Sequence, residues 1–220
     1  SFHGRTMGAL AATGQPKYHH GFQPLPGGFL HVPFNDIEAL RNAVSASTCA
    51  IMLEPILGES GVYPATPEYL SAARELCDAN GALLVFDEVQ TGLGRTGRIF
   101  AYQHFGVEPD LLALAKGLGA GVPIGALLAR EPAASAFEPG DHASTFGGSP
   151  LPAAAALAVL DVIQQEGVLD NVSRVGARLA EGLQAIKQKR PLVEGIRAWG
   201  MMIAVDLTKP LAARVKDRCV

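Results

Sequence analysis

Three charged residues follow short apolar runs in the sequence, and their types are suited to catalysis. Glu54 follows CAIML, Asp87 follows ALLVF and Lys116 follows LLALA. Runs of this length and composition predict buried strands, which belong to parallel or mixed sheets covered by helices. Ligands bind at the carboxyl ends of such strands, and a buried carboxylate without a partner is costly. The sequence therefore predicts a ligand site at this edge of a sheet, with a cationic ligand beside Asp87.

The combination of Lys116 and Asp87 predicts a specific kind of chemistry. A lysine amine that is removed from water becomes a better nucleophile and forms a Schiff base with a carbonyl compound. An acid on the adjacent strand can hold a protonated pyridine nitrogen. These are the two protein groups that a pyridoxal phosphate enzyme needs. We therefore predict that Lys116 and Asp87 are catalytic residues and that pyridoxal 5'-phosphate is the cofactor.

Alternating strand and helix patterns surround these residues. Asn35 with Glu38 predicts a capping box at a helix start, and Thr66 followed by Pro67 predicts another helix start. The predicted strands cover residues 48–54, 82–87, 109–115, 124–129, 193–198 and 201–207, and the predicted helices cover 35–45, 67–79, 152–165 and 168–189.

This alternation predicts an α/β three-layer sandwich with a mixed, mostly parallel sheet. The two strands predicted last indicate the start of a small α+β domain. We therefore divide the chain into a cofactor-binding large domain, residues 1–165, and a linking helix with the start of the small domain, residues 166–220.

The composition excludes several classes of function. The 220 residues are 48% hydrophobic, enough for one full core, and the net charge of −3 favours neither nucleic acid nor an anionic membrane as a partner. No apolar run approaches the roughly 18 residues of a membrane span. The three cysteines lack paired spacing, which is typical of reduced thiols in a cytoplasmic protein. The histidines lack the spacing of metal ligands, so we predict no metal site.

Several motifs together make the sequence similar to a known family. It resembles the class III aminotransferases in the order and spacing of FHGRT at residue 2, EP at 54, FDEVQ at 86, GLGRTG at 92, AKGLG at 115 and STFGG at 144. The stretches GQPKY, HVPFND and CAIMLEP are most similar to the branch of that family that uses N-acetylornithine. The resemblance implies the large domain of a fold-type I pyridoxal phosphate transferase.

The resemblance also implies roles for residues around the cofactor. Lys116 would hold pyridoxal phosphate and later move a proton, and Asp87 would bind the pyridine nitrogen. Gln90 would bind the phenolic oxygen. Phe2 and Val89 would lie against the two faces of the ring.

Substrate and phosphate contacts are implied in the same way. Arg5 would bind the α-carboxylate of the amino acid, and Glu59 would act as a gate that masks a substrate-binding arginine. Thr145 would bind the cofactor phosphate across the interface of a homodimer with a shared active site. Arg95 and Arg98 either bind a carboxylate or hold their loop.

The implied reaction moves the terminal amino group of N-acetylornithine to 2-oxoglutarate, a step of arginine biosynthesis. Ornithine, succinylornithine or 4-aminobutyrate aminotransferases share these motifs, and so does an aminomutase of the same fold. A protein that kept the fold for binding or oligomerisation, without catalysis, is the alternative from another class.

The ends of the sequence predict a piece of a longer protein. It begins SFHGR without an initiating Met, and the predicted small domain stops after Leu207. The resemblance implies that a phosphate-binding turn lies before residue 1 and that a substrate-binding arginine lies beyond the end. We therefore expect a fragment that lacks N-terminal and C-terminal parts and is inactive alone.

Overall fold

The computed structural model describes residues 1–219 of the chain, with eight strands and seven α-helices in that range. The strands are β1 (Ala50–Leu53), β2 (Ile56–Leu57), β3 (Tyr63–Pro64), β4 (Leu83–Asp87), β5 (Leu111–Leu114), β6 (Ala126–Ala129), β7 (Val193–Trp199) and β8 (Met202–Leu207). The α-helices are α1 (Met7–Ala12), α2 (Pro16–His19), α3 (Ile37–Ala43), α4 (Pro67–Asn80), α5 (Pro150–Gln165), α6 (Val168–Lys189) and α7 (Ala212–Cys219). Short 3-10 helices cover Ala101–His104, Lys116–Gly119 and Ala133–Ala136.

The central sheet has four strands in the order β1-β4-β5-β6. Strands β1, β4 and β5 are parallel, and β6 runs antiparallel to β5. The predicted mixed, mostly parallel sheet is therefore confirmed. Two further two-stranded sheets are antiparallel, β2 with β3 and β7 with β8, and the second of these is the predicted pair of C-terminal strands.

Helix α4 covers one face of this sheet, and its ends follow the predicted signals. The Thr66 hydroxyl accepts a hydrogen bond from the Tyr69 amide at 3.2 Å, and Pro67 is the first helical residue. Gly81 ends the helix with φ +65°, a conformation that glycine adopts without strain. The buried core joins this helix to the sheet through Leu70, Ala73, Cys77, Leu84, Phe86 and Leu112.

The predicted cap of α3 is wrong by one residue. The Asp36 side chain, rather than that of Asn35, accepts from the Ala39 amide at 2.9 Å. The Asn35 backbone has φ +65°, and its side chain instead bonds to the Thr66 amide at 2.9 Å. Asn35 therefore fixes α3 against the start of α4, a contact that lies 31 residues away along the chain.

Successive strand residues point to opposite faces of a sheet, and this separates Phe86 from Asp87. Phe86 is fully buried in the core beneath α4. Asp87 is the last residue of β4 and points to the other face, where the residue is 6% exposed. The strand thus presents an acid at its carboxyl end, on the face away from α4.

The C-terminal elements pack back onto the loop that follows β4. Helix α6 contacts β7, and a Cβ on Gly176 would lie 2.3 Å from the Gly200 carbonyl oxygen. A Cβ on Gly200 would in turn lie 2.8 Å from the Arg95 carbonyl oxygen. Glycine is therefore required at both positions for this close packing. The domain division after residue 165 stays a prediction.

None of the helices described in residues 1–219 combines the length and apolar character that crossing a bilayer requires.

Candidate active site

Asp87 lies at the end of β4 with both carboxylate oxygens in hydrogen bonds. The Val89 amide donates to Oδ1 at 3.0 Å, and His3 Nδ1 lies 2.8 Å from Oδ2. The side chains of His3 and Asp87 are only 1% and 7% exposed. A carboxylate has about four lone-pair positions, so Asp87 retains acceptor capacity for a further N–H donor.

His3 is not among the residues predicted from the sequence, because the spacing of the histidines indicates only that they do not form a metal site. Its amide donates to the Thr13 hydroxyl at 2.8 Å, and that hydroxyl donates to the Ala9 carbonyl at 3.0 Å. Helix α1 thus holds the histidine against Asp87. Its place between Phe2 and Arg5, two predicted site residues, is the signal that could have identified it.

Glu54 connects the N-terminal segment to the loop after β2. The carboxylate is buried, and it accepts from the Phe2 amide at 2.8 Å and from the Gly58 amide at 2.9 Å. The Gln90 side chain packs against Gly58, because a Cβ there would fall 1.2 Å from Gln90 Oε1. Glu54 thereby links two predicted cofactor-binding residues, Phe2 and Gln90, through one glycine.

Glu88 is buried beside the site, and its partners among residues 1–219 are backbone amides and a hydroxyl. Its carboxylate accepts from the Ala101 amide at 2.6 Å, the Tyr102 amide at 2.8 Å and the Thr91 hydroxyl at 3.0 Å. Burial raises the pKa of Glu88, and these hydrogen bonds partly offset that shift. This acid therefore fixes the chain that follows β4.

Lys116 lies just after β5, and β5 pairs with β4, the strand that ends at Asp87. The register pairs Asp87 with Ala113, and the Glu88 amide donates to the Ala113 carbonyl at 3.0 Å. Lys116 begins a short 3-10 turn three residues further on, and the residue is exposed. The parallel arrangement therefore brings the amine and the acid to the same edge of the sheet.

A cavity of about 580 Å³ opens beside Lys116. Val89 and Gln90 also line it, together with Met201 and Met202 from the C-terminal hairpin. Lys116 and Arg95 are the charged residues among its described lining, and both are cationic. The cavity is therefore suited to anionic ligands.

Backbone strain is concentrated around this cavity. Val62, Leu93 and Lys116 all line it and have φ angles of +59°, +56° and +45°. A non-glycine residue in this region costs on the order of 1–3 kcal/mol and occurs preferentially at functional sites. The surrounding packing must supply that energy, and this concentration of strain marks the cavity as the candidate functional site.

The predicted substrate residue Arg5 is held by aromatic rings. Its guanidinium carbon lies 4.5 Å from the ring centroid of Tyr18 and 5.7 Å from that of Phe2. Phe2 and Tyr18 pack edge to face at 5.3 Å. Tyr18 is a further residue that the sequence did not identify, and it orients both the arginine and the phenylalanine.

Two predicted residues lie outside this network of contacts. Glu59 follows Gly58 and is exposed, so it is adjacent to the cavity wall without a described hydrogen bond. Thr145 lies in the stretch 134–148, in which every residue is exposed, and no described hydrogen bond joins it to the other site residues. The chain alone therefore assembles the predicted site only in part.

Comparison with known families identifies the group to which these residues belong. A family model described as aminotransferase class-III matches residues 1–219. The chain belongs to the class-III aminotransferases.

Individual relatives within the class-III aminotransferases support a narrower similarity. The chain is 56% identical over 207 residues to a protein named acetylornithine aminotransferase from Caldanaerobacter subterraneus, covering 94% of this chain and 52% of the relative. It is 54% identical over 216 residues to a protein of the same name from Gloeobacter violaceus, covering 98% and 54%. The chain therefore spans about half the length of the curated relatives it matches.

Solved structures of similar enzymes have the same fold. The ornithine aminotransferase of Toxoplasma gondii superposes with a TM-score of 0.88 at 40% identity, covering 93% of this chain and 49% of that one. A transaminase from the marine bacterium Virgibacillus superposes with a TM-score of 0.89 at 30% identity, covering 98% and 54%. The predicted fold-type I architecture is therefore confirmed.

The residues of this class-III aminotransferase chain fit pyridoxal phosphate in most respects. Asp87 keeps a free acceptor position for a ring N–H, and Lys116 carries an accessible amine at the next strand end. Gln90 and Val89 line the same cavity as Lys116. For the phosphate group, Thr145 is the predicted ligand within the chain.

Proposed function

We propose that the protein is a pyridoxal phosphate aminotransferase that moves an amino group from N-acetylornithine to 2-oxoglutarate. The observation that carries this proposal is the placement of Asp87 and Lys116 at the carboxyl ends of two hydrogen-bonded parallel strands, with Lys116 in the wall of a cavity. Membership of the family supports the reaction class. The relatives named acetylornithine aminotransferase support the choice of amino donor.

Each predicted site residue has a separate role in the proposed reaction. Pyridoxal phosphate, when bound, supplies an electron sink for charge that develops on the substrate carbon. Asp87 would accept a hydrogen bond from the ring nitrogen, and His3, whose Nδ1 lies 2.8 Å from Oδ2, keeps this carboxylate in position. Lys116 would hold the cofactor through its amine and, once the amino group of the substrate has displaced that amine, would move the proton at the substrate carbon. Gln90 would bind the phenolic oxygen of the ring, and Phe2 and Val89 would contact its two faces.

Charge around the cavity suits both substrates. Amino acids and 2-oxoglutarate carry carboxylates, and the charged residues in the described cavity lining are cationic. Arg5, oriented by Tyr18, binds the α-carboxylate, a task that favours the planar guanidinium. Glu59 is the proposed gate between the two substrates.

Ornithine is the second candidate for the amino donor. The structural similarity to the Toxoplasma gondii ornithine aminotransferase, with a TM-score of 0.88, favours it. Competition between ornithine and N-acetylornithine for the protein expressed from its complete reading frame decides between the two donors.

We also propose a homodimer in the cytoplasm, with Thr145 bound to the cofactor phosphate of the partner subunit. The exposed apolar side chains near Thr145 support an interface there, with Phe146 at 82% and Leu151 at 73% exposed. The thiols of Cys49 and Cys77 are free in the structure, which is typical of a reducing compartment.

Substitution of Lys116 tests the proposed function. In the protein expressed from its complete reading frame, Lys116→Ala should abolish borohydride-dependent attachment of pyridoxal phosphate and lower kcat by at least about 10³-fold, because the covalent and proton-transfer roles both disappear. Lys189→Ala, at the end of α6, is the matched control and should leave both unchanged. Peptide mass spectrometry locates the attached cofactor, and attachment to another lysine would refute the assignment.

A further inference from the structure

The loop of residues 58–61 adjoins the cavity and carries Glu59. Gly58 and Val62 flank Glu59 on either side, and both line the cavity. The Gly61 amide donates to the Gly58 carbonyl at 3.1 Å, which closes a tight turn. Glu54 holds the first end of this turn through the Gly58 amide. The position of Glu59 therefore depends on what holds the other end.

Arg197 of β7 holds that other end. Its Nε donates to the Gly61 carbonyl oxygen at 2.7 Å. The guanidinium carbon lies 3.9 Å from the ring centroid of Tyr63, which stacks against it. The Arg197 side chain is only 20% exposed, so both contacts are partly shielded from water.

Asp206 of β8 fixes the arginine in this orientation. Its two carboxylate oxygens accept from Nη1 and Nη2 of Arg197, the second at 2.7 Å. Such a bidentate pair restrains the guanidinium in its plane. A Cβ on Gly195 would lie 2.7 Å from Asp206 Oδ2, so glycine there makes room for the carboxylate. The hairpin thus presents a preformed donor to the loop.

The residue after the loop is strained and needs such support. Val62 has φ +59°, a conformation that a β-branched residue rarely adopts. It is 6% exposed and packs in a small core with Ile56, Ala101 and Met202. Met202 belongs to the same hairpin as Arg197. The hairpin therefore contacts the loop through a hydrogen bond at Gly61 and the residue after the loop, Val62, through packing.

We propose that Arg197, oriented by Asp206, is a positioning residue that holds the 58–61 loop and so determines where the Glu59 carboxylate stands at the cavity. This inference rests on the proposed function, in which Glu59 discriminates between the two substrates. It makes the C-terminal hairpin part of the specificity machinery, although no charged residue of β7 or β8 belongs to the described cavity lining.

Hydrogen exchange tests the structural half of this proposal without any need for activity. In the protein expressed from its complete reading frame, Arg197→Met should accelerate amide exchange of residues 58–62 by roughly tenfold, because the loop loses its anchor. Exchange in α4 should be unchanged. Arg41→Met removes an exposed arginine that pairs with Glu38 on α3, and this control should leave the loop unchanged.

Steady-state kinetics test the functional half. If Glu59 is displaced, the Michaelis constant for the keto acid should change by roughly tenfold relative to that for the amino donor, with a smaller effect on kcat. Arg197→Lys keeps the charge but not the bidentate geometry, so it should give a smaller change in the same direction. It also replaces Arg197→Met in both measurements if the latter does not fold.

The outcomes separate this inference from the proposed function. Unchanged exchange in the loop, or faster exchange with an unchanged ratio of the two Michaelis constants, overturns the positioning role. A wild-type protein that transfers no amino group refutes the proposed function instead, while the exchange measurement still reports whether Arg197 holds the loop.

Discussion

The central sheet contains two regions that differ in how far the chain itself completes them. At the carboxyl ends of β1 and β4, the acids Glu54, Asp87 and Glu88 are all buried, and each accepts at least two hydrogen bonds. Strand β6, on the far side of β5, is exposed along its whole length, with Leu127 at 55%. The same sheet thus has buried, hydrogen-bonded acids at the ends of β1 and β4 and an exposed strand, β6, at its other edge.

This contrast separates residues that are held by contacts within the chain from residues that are exposed. Packing beneath α4 and hydrogen bonds from nearby loops hold the strand ends, so substitutions there should act on stability. Several apolar side chains around β6 and Thr145 are exposed, among them Leu127 and Phe146, and exposed apolar surface favours interaction with a partner. Substitutions there should act on association instead.

Phe86→Ala should produce the largest loss of stability. Phe86 is fully buried between α4 and the sheet, and removal of such a ring costs about 3–5 kcal/mol. The free energy of unfolding from denaturant titration of the protein expressed from its complete reading frame is the measurement. Phe22→Ala, at a ring that is 52% exposed, is the control. Equal effects of the two substitutions would contradict the contrast between the regions.

Glu88→Ala should destabilise the protein by about 1–3 kcal/mol, because it leaves buried N–H and O–H donors without an acceptor. The same denaturant titration measures the loss. Glu108→Ala removes an exposed carboxylate that pairs with Arg130 and should have little effect. An equal loss in both variants would show that burial of Glu88 is not the cause.

The pH dependence of stability gives a second measurement on Glu88. Burial raises its pKa in the folded state above the value in the unfolded chain, so the folded state binds the proton more tightly. The free energy of unfolding contributed by this group should therefore be highest below the unfolded pKa and should fall as pH rises to the folded pKa. Glu88→Ala should lack this component of the slope in urea titrations at a series of pH values.

Phe146→Ser should have the smallest effect on stability, within about 0.5 kcal/mol, because the ring is 82% exposed. It should instead weaken self-association if the stretch around Thr145 forms the proposed interface. Analytical ultracentrifugation gives the dimer dissociation constant, and Phe22→Ser serves as the control. A dimer as stable as the wild type would exclude this stretch from the interface.

Local signals predicted most elements because their causes are local. Thr66 with Pro67 starts α4 as expected, since capping and a fixed proline φ act within one turn. The apolar runs before Asp87 and Lys116 form β4 and β5. The family motifs identified Asp87 and Lys116 as the acid and the lysine of the predicted site. The predicted cap of α3 was wrong because Asn35 is used for a contact with Thr66, which no local pattern reveals.

The amino-acid order alone was enough to show which residues end the buried strands and which chemistry their types allow. The folded chain was needed to show that His3 faces Asp87, that Glu54 joins Phe2 to Gly58, and that Arg197 reaches Gly61, 136 residues away along the chain. The reason is physical, because strand and helix patterns reflect neighbours a few residues apart. Hydrogen bonds between distant segments depend on the order in which strands pair, and that order is a property of the whole fold.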